Sequence, residues 1–151
     1  AKGTPIKEEI KKFLNHNFFK TYPPKSLDRN EFSPQYNELV EKKNSVIDIM
    51  ATLAEFTVET IVISLQLLPK KIKSMVITGG GSRNIHLMNR LKDKLELRVY
   101  NEKQLGINFD YIEAELIAYL SARSIYKLPF TFPSTTGVVK PLSGGKLFKH
   151  L

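Results

Sequence analysis

The stretch VITGGGSRN, residues 76–84, sets three glycines between a short β-branched run and the start of a helix. Glycine permits positive φ and lets a ligand approach backbone amides closely. A helix opening just after such a turn adds unpaired N–H groups and partial positive charge, the chemistry that binds phosphate. A purely structural tight turn would use the same residues. The pattern is not a P-loop, because no Gly-Lys-Ser/Thr follows at the required spacing. Nor is it the dinucleotide fingerprint, whose third glycine would fall at Asn84. Spacing alone leaves phosphate binding and a tight turn both open.

A second candidate group is Asp110 and Glu113, which have capping-box spacing. Glu113 also precedes Leu116, Ile117 and Leu120 on one helical face, which predicts that it projects towards the interior. An inward carboxylate needs either a cap amide or the hydroxyls of a ligand. The three histidines, His16, His86 and His150, lack metal-ligand spacing, so no metal site is expected. Asp48, Glu55 and Glu59 share one helical face and read as a polar seam. The absence of cysteine excludes disulfides and thiol catalysis, and no nucleophile-elbow motif is present.

These residues need elements to hold them. Ile6, Ile10, Phe13 and Leu14 predict an amphipathic helix over Pro5 to Asn15. Pro23-Pro24 forces a loop, and a short helix is expected around Gln35 to Lys43. Val46 to Leu68 is apolar over most of its circumference, which predicts a long helix buried on several sides and stopped by Leu68-Pro69. Lys73 to Thr78 reads as a buried strand, and Asn84 as the N-cap of a helix with Ile85, Met88, Leu91 and Leu95 on one face. Arg98 to Tyr100 is a possible second strand and Asp110 to Tyr126 a third long helix, followed by a tail of loop and edge strand over Phe130 to Leu151.

The 151 residues suit a single α/β domain, 42% hydrophobic and 25% charged. Acidic and amide residues interrupt the apolar run at Asp48, Glu55, Glu59 and Gln66, which argues against a membrane span. No secretory signal pattern opens the chain, so a cytoplasmic location is expected. The net charge of +8 concentrates between Pro69 and Lys103, where nine basic residues face three acidic ones. That surplus favours an anionic partner such as a nucleotide, a sugar phosphate or nucleic acid. Only Tyr100 supplies an aromatic there, which disfavours a nucleic-acid-binding module. A non-catalytic assembly domain, docking a partner or forming a homodimer through the long helices, is the other alternative.

The run ITGGGSRNIHLMNRL, followed by EAELIAYLSARSIYKLPFTFPSTTGV, resembles the C-terminal half of anhydro-N-acetylmuramic acid kinases. PPKS and ATLAEFT fall upstream in the family's order, and the likeness runs from Leu14 to Thr136. The resemblance implies a ribonuclease H-like α/β lobe of the actin and hexokinase type, with a mixed sheet packed by long helices. It implies ATP and Mg2+ as cofactors and anhydro-N-acetylmuramic acid as the sugar, opened and phosphorylated at O6 in bacterial cell-wall recycling. Gly79, Gly80, Gly81 and Asn84 match the family's nucleotide-binding turn, and Glu113 a glutamate expected near the sugar. The first phosphate loop and the catalytic aspartate belong to an N-terminal lobe that these residues do not include. No catalytic residue is therefore expected in this chain, and it is expected to be inactive without that lobe. Leu27-Asp28-Arg29-Asn30 stands where the family has Thr-Gly-Arg-Glu, so no role is carried onto Lys25 or Arg29.

Overall fold

A computed structural model describes residues 2–28, 30–106 and 111–148. The chain is mixed α and β, mostly helical, and falls into two compact units, one of Ala1–Tyr22 with Leu27–Ile107 and one of Pro23–Ser26 with Asn108–Leu151.

In the first unit, helices α1 (Lys7–Leu14) and α2 (Ser33–Glu41) precede the long α3 (Val46–Gln66). Strand β1 (Ser74–Ile77), helix α4 (Ile85–Lys94) and strand β2 (Arg98–Asn101) follow. The two strands form a parallel pair in which Ser74 faces Arg98 and Ile77 faces Asn101. A helical crossover between parallel neighbours is the βαβ unit.

Two apolar clusters use different ends of α3. Phe13, Leu39 and Ile49 bury against Ile6, Phe32, Leu53 and Phe56, with the Phe13 and Phe56 rings 4.8 Å apart. Val58, Met88, Leu91 and Val99 form the second cluster, with Ile61, Met75 and Ile77 packed against it. Ile6 at the N-cap of α1 and Phe13 near its end, and Met88 and Leu91 of α4 with Leu95 at its C-cap, land on these clusters as their helical spacing predicts, whereas Ile85, expected on the same face, is exposed.

Three expectations need correction. The apolar stripe of α3 is not enclosed: Val46, Ile47 and Met50 are exposed, while the polar seam holds the buried Thr52 and Glu55. The reason is hydrogen bonding. The Thr52 hydroxyl accepts the Ile6 amide at 2.9 Å and donates to the Asp48 carbonyl at 2.6 Å, and Asp48 Oδ1 accepts the Thr4 amide at 2.7 Å. Paired polar groups tolerate burial, so this seam docks the chain that leads into α1. β1 is likewise only half buried, with Met75 and Ile77 turned to the core and Ser74 and Val76 exposed. The sheet seen among the described residues is this parallel pair rather than a mixed one.

The second unit holds α5 (Ile112–Ile125) and the one-turn α6 (Pro133–Thr136). Lys127 has φ +54 beyond the C-cap, and the Leu128 amide returns to the Arg123 carbonyl at 2.8 Å, which closes α5. Arg123 donates to the Pro129 carbonyl, with Nε at 2.8 Å, and the tail contributes one antiparallel bridge, Thr131 to Leu142. Among the described residues the tail therefore has the loop expected of it, but a helical turn and one isolated bridge where an edge strand was expected. No helix among the described residues is long and apolar enough to cross a membrane.

Candidate functional site

The glycine bend lies in the first unit, at the carboxyl ends of the two parallel strands, where open α/β sheets bind ligands. Gly79 takes φ +76 and ψ −169, a conformation that only glycine adopts readily. A 3-10 turn over Gly80–Arg83 follows, and then α4 opens with Asn84 as its N-cap. Asn84 Oδ1 accepts the Leu87 amide at 3.2 Å, as its residue type predicts. The helix therefore starts where the sequence places it, with the glycines and one 3-10 turn ahead of a capped terminus.

The amide inventory separates the open nitrogens from the used ones. The Ser82 amide donates to the Gly79 carbonyl and the Asn84 amide to the Gly81 carbonyl, both at 3.1 Å. Among the described residues, the amides of Gly79, Gly80 and Gly81 have no protein acceptor. All three glycines are exposed, and a β-carbon at any of them would have no heavy atom within 4 Å. Gly79 is explained by its backbone angles. Nothing among the described residues explains glycine at 80 and 81, whereas close approach of a ligand would.

Beneath the bend sits a residue that sequence reasoning missed. Glu102 follows β2 directly, and the register of Ile77 with Asn101 brings it beside the bend that follows β1. It is buried, and its Oε1 lies 2.8 Å from Ser82 Oγ, which in turn lies 2.7 Å from the Gly79 carbonyl oxygen. The Ser82 hydroxyl first, and then its own main-chain amide, hold the Glu102 carboxyl below the ordinary glutamate range. An acidic residue one step past the neighbouring strand was the signal available.

A cavity of about 630 Å³ lies elsewhere in this unit, lined by α1, α3 and α4. The charges that α3 and α4 give it through Glu55, Glu59, Arg90 and Lys94 are already paired. Glu55 accepts Arg90 Nε at 3.0 Å and Nη2 at 2.8 Å, and Lys94 Nζ at 2.7 Å, while Lys94 also pairs with Glu59. The Arg90 guanidinium, opposed by burial and aided by Lys94, brings the Glu55 carboxyl down to about 2. The basic surplus read from the sequence is thereby partly spent on α3, which removes two cations from any nucleic-acid surface. Among the described residues no three His, Asp or Glu side chains cluster as a metal site.

Gly79, Gly80, Gly81 and Asn84 thus share one bend. Glu113 belongs to the second unit, and contrary to expectation it is exposed, as are Leu116 and Ile117 beside it, because nothing among the described residues covers that face of α5. Asp110 lies outside the described residues, and the N-cap position of α5 is Tyr111, with no side-chain cap bond.

Comparison with known proteins bears on the whole chain. Residues 1–150 match the family model described as anhydro-N-acetylmuramic acid kinase. The protein of that name from Rhodopseudomonas palustris (strain HaA2) is 43% identical over 148 residues, covering 97% of this chain and 39% of the relative. Its namesake from Zymomonas mobilis subsp. mobilis is 35% identical, with 97% and 39% covered. The one from Brucella anthropi is also 35% identical, with 97% and 38% covered. The chain therefore spans about two fifths of the length of the curated relatives it matches. It belongs to the anhydro-N-acetylmuramic acid kinase family.

Proposed function

We propose that these 151 residues are the nucleotide-binding, C-terminal lobe of a kinase that opens 1,6-anhydro-N-acetylmuramic acid and phosphorylates it at O6, with ATP and Mg2+, in bacterial cell-wall recycling. The observation that carries the reading is the bend at Gly79 to Gly81, whose three amides have no protein acceptor among the described residues and whose glycines leave open space where a β-carbon would stand. Such a nest of N–H groups suits phosphate oxygens, and glycine at 80 and 81 keeps the approach clear. Ribonuclease H-like architecture of the actin and hexokinase type is the fold proposed for the lobe, with the βαβ unit as its visible part.

Within this reading the bend's amides hold nucleotide phosphate, Asn84 fixes the start of α4, and Glu113 contributes to the sugar side. Bound ATP supplies the phosphoryl group, and Mg2+ enters as the companion of its phosphates, the usual mode for that ion. A phosphoryl transfer also needs an opposing phosphate clamp and a group that orients the attacking oxygen. We place both in the share of the relatives' length that this chain does not match, so the chain alone is catalytically incomplete. The exposed Val46, Ile47 and Met50 on α3 are consistent with a surface that another part of the enzyme covers.

Calorimetric titration of the 151-residue chain with MgATP tests the assignment. Saturable binding, with no turnover of the anhydro sugar until the remaining part of a relative is added, is the expected result. Turnover by the chain alone would refute its incompleteness, and no binding of MgATP would refute the lobe assignment.

A further inference from the structure

The Ser82 to Glu102 link has no part in the reading above, yet it ties the glycine bend to the turn that follows the neighbouring strand. We infer that Glu102 is a positioning residue for the bend, accepting the Ser82 hydroxyl so that the Ser82 amide stays on the Gly79 carbonyl and the three open amides are held ready for an anionic phosphate ligand. The inference rests on the reading of the bend as a nucleotide site.

Three observations carry it. The first is reach: Oε1 of Glu102 lies 2.8 Å from Ser82 Oγ, which lies 2.7 Å from the Gly79 oxygen, while the Ser82 amide donates to that same oxygen at 3.1 Å. The hydroxyl has one proton, which the ionised Glu102 accepts, and the amide of the same serine grips the carbonyl whose peptide sets the unusual Gly79 angles. The second is support. Glu102 stands in a turn locked by a reciprocal capping box, with Asn101 Oδ1 accepting the Gln104 amide and Gln104 Oε1 accepting the Asn101 amide, each at 3.0 Å. A group held this firmly can hold another in place.

The third is the expense of the arrangement. Glu102 is 8% exposed, and its second oxygen, Oε2, is buried with no hydrogen-bond partner. A half-satisfied buried carboxylate is a poor stabiliser, since its desolvation is only partly repaid. The charges of Arg83 and Lys103 favour its ionised form. A residue kept for stability alone would be served better by an apolar or fully bonded side chain. One kept to fix the bend needs only Oε1.

The test compares Glu102→Ala, Glu102→Gln and Ser82→Ala in the full chain, with MgATP as the probe. Glutamine preserves an acceptor for the serine hydroxyl; alanine does not. The expected result is a rise in Kd of about tenfold for both alanine variants, the size of one lost hydrogen bond to a charged group. Glu102→Gln should stay near wild type, the double alanine variant should be no worse than Ser82→Ala, and the apo melting temperatures should stay together. Amide exchange at Ser82, whose bond to Gly79 reports the bend directly, should speed up in Glu102→Ala and not in Glu102→Gln.

Unchanged affinity and unchanged Ser82 exchange in Glu102→Ala would overturn the inference. So would a melting temperature that drops in step with the affinity, the mark of a merely structural residue. If the wild-type chain fails to bind MgATP, the lobe assignment fails instead, and the Ser82 exchange measurement then decides alone whether Glu102 positions the bend.

Discussion

Replacing Glu55 by Gln keeps the shape of the side chain and removes the charge that joins α3 to α4. Glu55 is 8% exposed and accepts two bonds from Arg90 and one from Lys94. Removing one partner of a buried ion pair costs roughly 3–5 kcal/mol. Arg90 is 35% exposed at its side chain and water screens part of the pair, so the expected loss is nearer 2–3 kcal/mol. The lowered pKa of Glu55 leads to a figure of the same size. Lowering the carboxyl from 4.5 to about 2 corresponds to on the order of 3 kcal/mol. Because the folded pKa is depressed, this contribution is complete above pH 4.5 and disappears as pH falls towards about 2. Urea unfolding followed by far-ultraviolet circular dichroism, repeated across that window, should show wild type and Glu55→Gln well separated at neutral pH and converging in acid. A gap that is missing at neutral pH, or that keeps its size down to the acid limit, would show that Glu55 does not hold the two helices together through its charge.

Three further predictions address the glycines. Gly80→Ala and Gly81→Ala add a methyl group to open space, so unfolding free energy should stay within about 0.5 kcal/mol of wild type while MgATP affinity drops by about tenfold, read by denaturation and calorimetry side by side. Gly79→Ala is different: with φ +76 and ψ −169, alanine should cost roughly 1–3 kcal/mol of stability and lower the same affinity. In Gly3→Ala the new β-carbon would stand 2.2 Å from the Ile47 carbonyl oxygen, so the entry to α1 should shift off α3 with a loss of roughly 1–3 kcal/mol, seen as a lower urea midpoint.

How much of this was legible depended on what kind of signal each feature leaves. Helices α1, α3, α4 and α5 were readable because apolar periodicity and the prolines at 69 and 129 mark them, within a few residues at each end. Asn84 was readable as a cap because its chemistry is local. The burial of α3 was not, because hydrophobicity says which face prefers to hide and not which polar face finds partners. Glu55 and Glu59 share the four-residue step of Arg90 and Lys94, a correspondence that becomes meaningful only once the helices are known to lie together. Glu102 was missed for the same reason: its link to Ser82 spans 20 residues and depends on strand register. Glu113 was misjudged because three apolar neighbours at helical spacing imply a covered face only when something is there to cover it.

The parallel pairing of β1 and β2 has a mechanical corollary. Four matched positions are too few for such a ribbon to persist in water by itself, so its survival is borrowed from the helix that bridges it and from the one beneath. Fraying of the bridge would release both strands at once. The bend and the acidic residue under it sit at the tips of those strands, so the geometry offered to a phosphate lasts only as long as α4 remains seated.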